Sequence, residues 1–98
     1  MVKHIVTFKL KGTPAERLAV ANKFKTALET LPSVIDVLES IEVGINANPN
    51  ESWDIVLTAT VPTMADVEVY AKHPAHVAAA SLLGDNKDMR ACVDYEVQ

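Results

Sequence analysis

An α+β domain with the element order β-α-β-β-α-β is what this sequence predicts, and three observations carry that prediction. Apolar and polar residues alternate over 2–10, and a capped amphipathic segment follows. Two further strand-like runs then meet at an asparagine-rich turn, ahead of a second helical region and a closing strand. With 98 residues there is room for a single domain, 1–98. A chain this short buries only about 60–70% of its unfolded surface, so a partner subunit would add usefully to its core.

In the first strand Val2, His4, Val6, Phe8 and Leu10 share one face, and Lys3, Ile5, Thr7 and Lys9 share the other. His4 is the one polar group on the apolar side. Gly12-Thr13-Pro14 breaks the strand and opens a helix. Thr13 suits the N-cap, Pro14 the first helical position, and Glu16 completes a Thr-x-x-Glu capping box. Leu18, Ala21, Phe24, Leu28 and Leu31 draw its apolar stripe, and Pro32 ends it. Residues 34–45 read as the second strand and Trp53 to Val61 as the third, apolar on both faces. Asn46 to Asn50 is turn chemistry, so the two are expected to run antiparallel. Pro62-Thr63 opens the second helical region, which breaks at His73-Pro74, because the residue before a proline avoids helical geometry. A short helix from about Pro74 to Leu83, a turn at Gly84 and a last strand from Ala91 to Val97 complete the chain.

Composition removes several classes of function. A net charge of −4 argues against nucleic acid as a partner, and Lys3, Lys9 and Lys11 read as one solvated edge. No apolar run is long enough to span a membrane, and no signal-peptide pattern opens the sequence. Cys92 is the only cysteine, which favours a reducing, cytoplasmic setting and a role as a small core residue. There is no Gly-rich phosphate loop, serine-nucleophile motif or dinucleotide fingerprint, so no cofactor is expected. His73-x-x-His76 lacks the i, i+4 spacing of a helical zinc pair, and no metal is expected either.

The element order is that of the ferredoxin-like split unit, a four-stranded antiparallel sheet with helices on one face. The other face would still carry Ile5, Val56, Val93, Tyr95 and Val97. A semi-apolar face of that size calls for a cover, and a second copy across a two-fold axis is the simplest one. A homodimer is therefore expected.

Three stretches resemble the Dabb family of stress-responsive dimeric α/β-barrel proteins. They are the opening Met1-Val2-Lys3-His4-Ile5-Val6, the block Tyr70-Ala71-Lys72-His73-Pro74-Ala75-His76-Val77, and the closing Arg90-x-x-Val93-Asp94-Tyr95. The Tyr-x-x-His-Pro-x-His block is the most specific of the three. The resemblance implies a dimer in which two four-stranded sheets form a barrel. It also implies kinship with a plant branch of cofactor-free polyketide cyclases, whose Tyr and second His carry an intramolecular aldol condensation. Those positions match Tyr70 and His76, whereas the branch's strand-three His falls at Ile55.

The residues themselves allow two readings. In the first turn of a helix that begins at Pro74, His76 would stay neutral and accept a proton, while Tyr70 would donate its hydroxyl to an enolate. The structural alternative is that His73 and His76 cap and pin the break between two helices. His4 and Asp94 are expected to face the same helix layer from strands with different neighbours. They would meet if the registers allow, with Asp94 sharing its face with Cys92 and Arg90. A carboxylate there needs a His or an Arg as partner. His4, His73, Arg90 and Asp94 are accordingly candidate binding residues, and His76 and Tyr70 candidate catalytic ones. The expected function is a homodimer that binds a small apolar or enolisable molecule in a pocket between helices and sheet. Alternatives are a cofactor-free cyclase or lyase and, on fold analogy alone, a cofactor-independent monooxygenase. An apolar cavity beside Tyr70 and His76 would favour turnover, and a filled core there would favour binding without it.

Overall fold

The computed structural model describes residues 1–97. Strand β1 (Val2–Leu10) has the alternating burial its pattern predicts, with Val2, His4, Val6, Phe8 and Leu10 buried. Gly12 turns the chain out of β1 at φ +110°, a conformation that a side chain would strain. Helix α1 (Pro14–Glu29) begins with the full capping box: Glu16 N–H donates to Thr13 Oγ1 at 3.2 Å, and Thr13 N–H donates to Glu16 Oε1 at 3.3 Å. Ala21, Phe24 and Leu28 enter the core, with the Phe24 ring edge-on to Phe8. Leu18 does not follow the predicted stripe. It is exposed, because the inward position of the first turn, in line with Ala21, Phe24 and Leu28, belongs to Arg17, which bonds Asp54.

The second strand is shorter than its apolar run. A 3-10 turn at Leu31–Ser33 continues from α1, and Ile35 and Leu38 are buried three residues apart, as in a turn rather than a strand. Pairing begins only at β2 (Ser40–Ile45), opposite β3 (Ile55–Val61). Helices α2 (Met64–Lys72) and α3 (Pro74–Ala80) meet at His73, whose extended backbone follows from Pro74. Strand β4 (Lys87–Glu96) starts four residues earlier than its apolar residues indicate, because Lys87 and Met89 pair with Leu10 and Lys9.

The sheet order is β2-β3-β1-β4, antiparallel throughout. This corrects the expectation that the first and last strands have different neighbours: they are hydrogen-bonded to each other, and His4 stands directly opposite Asp94. The helices cover one face. On the other, Val56, Val93 and Tyr95 are 41%, 63% and 41% exposed. The helix layer also stops short of β4, an edge strand whose Arg90 and Asp94 remain exposed on the helix side. Among the described residues, no helix is long and apolar enough to cross a membrane.

Candidate functional site

The break at His73-Pro74 and the β1–β4 pairing together build one polar column. Thr63 caps α2 by accepting from Asp66 N–H at 3.3 Å, which sets the helix so that Tyr70 is buried. At the break, Ala75 N–H donates to His73 Nδ1 at 3.0 Å, so His73 caps α3. His76 Nδ1–H donates to the Ala71 carbonyl at 2.8 Å and ties α3 back onto α2. Both histidines thus pin the break, and in this tautomer the lone pair of the neutral His76 ring sits on Nε2.

Tyr70 is the centre of the column. Its ring lies 4.5 Å from that of His76 between centroids, and 5.9 Å from that of His4 in an edge-on contact. The side chain is 1% exposed, and its hydroxyl has no hydrogen-bond partner among the described residues. Burial alone raises the phenol's pKa above its usual value, so Tyr70 is a donor and not a phenolate. His76 is shifted the other way. Burial lowers its pKa most, the positive charges of His4 and Arg90 add to that, and the Ala71 carbonyl opposes them. Asp94 does not act on His76 as a partner, because it is engaged elsewhere.

That engagement is with His4. The two face each other across β1 and β4, with His4 Nδ1 at 2.5 Å from Asp94 Oδ1. An ionised carboxylate only accepts, so Nδ1 carries the proton. Cys92, two residues before Asp94 on the same face, brings its Sγ to 3.5 Å from the same nitrogen. Burial raises the Cys92 pKa and the Asp94 charge raises it further, while Arg90 acts in the opposite sense. The sequence treats Cys92 as core filling; alternation with Asp94 was the signal that it belongs to this cluster.

The structure thus brings together His76, Tyr70, His4 and Asp94, with Arg90 at the exposed margin and His73 held in its cap. A second polar group went unnoticed in the sequence. Asp54 accepts from Leu10 N–H at 2.7 Å and from Arg17 Nε at 3.2 Å, at the opposite end of β1. There a cavity of about 650 Å³ opens between α1 and the β2–β3 connection, lined by Arg17, Leu18, Asn48 and Asp54 among others. A smaller one of about 310 Å³ lies by Thr7, Trp53 and Val56. Tyr70 and His76 line neither.

The model of the stress responsive A/B barrel domain, Dabb, matches residues 2–97. A search of curated proteins by sequence finds no match. Among solved structures, a dimeric protein of unknown function with a ferredoxin-like fold from Bacteroides fragilis NCTC 9343 is 51% identical. It superimposes with a TM-score of 0.95 over 98% of this chain and 95% of that one. The hydroxynitrile lyase of Passiflora edulis is similar with a TM-score of 0.77 at 14% identity, covering 99% of this chain and 93% of its own. An antibiotic biosynthesis monooxygenase has the same TM-score of 0.77 at 12% identity, covering 100% of this chain and 99% of its own. At these low identities the likeness concerns the fold alone. The 51% identical structure and a family match running from β1 to the end of β4 agree: this chain belongs to the stress-responsive A/B barrel domain family, Dabb.

Proposed function

We propose that this protein is a homodimeric barrel that binds a small apolar or enolisable molecule at the Tyr70–His76 end of the polar column. The observation that carries the reading is the buried Tyr70 hydroxyl, without a partner among the described residues, on a ring packed against two imidazoles. A buried hydroxyl left unpaired costs about 1–3 kcal/mol, which a carbonyl or oxyanion of a ligand would offset by accepting from it. The half-buried His76 is the side by which such a molecule approaches.

Binding without turnover is favoured by the near-complete burial of Tyr70, which neither of the two cavities described above reaches. The second reading, cofactor-free proton transfer of the cyclase or lyase kind, is favoured by a specific feature of His76. Its neutral ring is held by Ala71 with the lone pair on Nε2, as a general base requires. The monooxygenase reading has fold likeness behind it and no residue of this chain.

A thermal-shift screen of carbonyl compounds tests the proposal, because a ligand that binds only the native state raises the melting temperature. Hits should stabilise the parent protein and lose their shift in Tyr70→Phe. An undiminished shift in that variant would overturn the assignment. Dimerisation is supported by the exposed Val56, Val93 and Tyr95 and by the dimeric Bacteroides fragilis structure. Val93→Asp should weaken the dimer by about a hundredfold or more, since a carboxylate would be buried unpaired. Lys11→Asp should leave the dimer intact. Light scattering that reports a stable monomer for the parent protein would remove the dimer from the proposal.

A further inference from the structure

Next to the Tyr70–His76 pair lies a second cluster whose chemistry is different. The β1–β4 register sets His4 opposite Asp94, and alternation adds Cys92 to the same face. An imidazole nitrogen, a thiol sulfur and a carboxylate oxygen, one from each residue, lie within 4.8 Å of one another. We propose that His4, Cys92 and Asp94 are the three protein ligands of a divalent transition-metal site of the zinc type, with the fourth position open.

The distances support tetrahedral coordination. Metal bonds of about 2.3 Å to sulfur and 2.0–2.1 Å to nitrogen or oxygen set neighbouring ligand atoms roughly 3.3–3.6 Å apart. His4 Nδ1 and Cys92 Sγ are 3.5 Å apart, and Sγ is 3.9 Å from each Asp94 oxygen. Only the contact between Nδ1 and Oδ1, at 2.5 Å, is too close for two ligands of one ion. That contact is the hydrogen bond the metal replaces, and a swing of the carboxylate by about 1 Å opens it. One thiolate and one carboxylate neutralise a divalent ion, so a part-buried site is left without net charge. Sulfur and imidazole select against calcium and magnesium, which take oxygen ligands.

Independently of these distances, the ring packed edge-on against His4 belongs to Tyr70, whose hydroxyl is buried and unpartnered. That ring closes one side of His4 and keeps the imidazole of the cluster buried. On metal uptake the Cys92 sulfur forms its bond to the ion and releases its proton to solvent. The His4 imidazolium gives up its Nδ1 proton to solvent and keeps the one on Nε2, which frees the nitrogen that binds. The site does not depend on the reading of His76 as an acceptor.

Cobalt(II) titration of metal-free protein tests the proposal, with zinc as competitor. The expected result is one equivalent per chain, intense visible bands of tetrahedral cobalt and a thiolate-to-cobalt charge-transfer band, all displaced by zinc. Cys92→Ser should abolish the charge-transfer band. Asp94→Asn should weaken binding by more than the roughly 10–100-fold that loss of an outer-shell partner costs. His76→Gln should leave the titration unchanged, which separates this site from the ligand site proposed above. A weak octahedral spectrum without charge transfer, or a Cys92→Ser spectrum equal to the parent's, would overturn it. If Cys92→Ser does not fold, alkylation of Cys92 in the parent protein decides. Millimolar zinc should slow the reaction sharply, and an unchanged rate would refute the site.

Discussion

The two ends of β1 carry polar groups that look alike in the sequence and are used in opposite ways. At the Leu10 end, Asp54 accepts from a backbone N–H of β1 and from Arg17, and Arg17 also donates to the Gly12 carbonyl at 2.6 Å. Asp54 and Arg17 together hold the strand end to the start of α1. At the His4 end, Tyr70 has a buried hydroxyl with no partner, and the neutral His76 ring keeps a lone pair on Nε2. Cys92 Sγ lies 3.5 Å from His4 Nδ1 and 3.9 Å from each Asp94 oxygen, long contacts for a polar group. Polar groups consumed by the backbone are architecture, and groups with unspent bonding capacity are where a ligand adds something. The larger cavity lies at the first end, so volume alone would point away from the chemistry.

Removing Asp54 should therefore have the largest effect on stability. Asp54→Ala leaves Leu10 N–H and the Arg17 guanidinium without their shared acceptor. Hydrogen bonds to a charged group are worth about 1.5–3 kcal/mol, and the part-exposed setting keeps the expected loss near 2 kcal/mol. For a domain of this size that lowers the melting temperature by roughly 10 °C. Calorimetry reads it directly, and a drop of only a degree or two would show that the Asp54 end is not architectural.

Tyr70→Phe should do the reverse at the other end. It deletes a hydroxyl that has no partner to lose while keeping the ring between His4 and His76. Stability should stay level or rise by up to about 1 kcal/mol. A loss as large as that of Asp54→Ala would mean that the hydroxyl is satisfied within the folded protein, and the contrast between the two ends would collapse.

How much of this was legible in the sequence follows from how local each signal is. The alternation of β1, the Thr13–Glu16 capping box and the break at His73-Pro74 are written in neighbouring residues and reappear as predicted. The start of β2 does not, because Ile35 and Leu38 are apolar for a buried turn and periodicity over six residues cannot distinguish that from a strand. The polar lead of β4 hid its first four residues, since edge pairing needs no apolar side chain. The candidate residues themselves stand out by type. Their partners do not: His4 meets Asp94 only through the register of strands at opposite ends of the chain, and Cys92 meets His4 the same way. The one histidine pair that spacing brings to notice, His73 and His76, turned out to pin a helix break.

The smallest expected effect concerns the protonation of His76, and its sign can be worked out. Burial lowers the folded-state pKa below the ordinary value near 6.5, aided by the charges of His4 and Arg90 and opposed by the Ala71 carbonyl. Asp94, on the same face of β4, is bonded to His4 and does not offset the shift. The unfolded chain therefore takes up a proton at higher pH than the folded one. This site's contribution is fully present above the unfolded pKa and declines as pH falls towards the folded pKa, below which the loss stops growing. His76→Gln keeps an amide N–H that can donate to Ala71 and removes the titration. Denaturant unfolding from pH 7.5 down to about 5 should show a slope for the parent protein that this variant lacks. Two-dimensional NMR of the imidazole should place its pKa below that of a model histidine, with the Nδ1-protonated tautomer dominant at neutral pH. A pKa above the model value would mean that the ring is charged near neutrality. His76 would then be a pin for the helix break and a donor to an anionic ligand, and proton abstraction at this end of the strand would have no base.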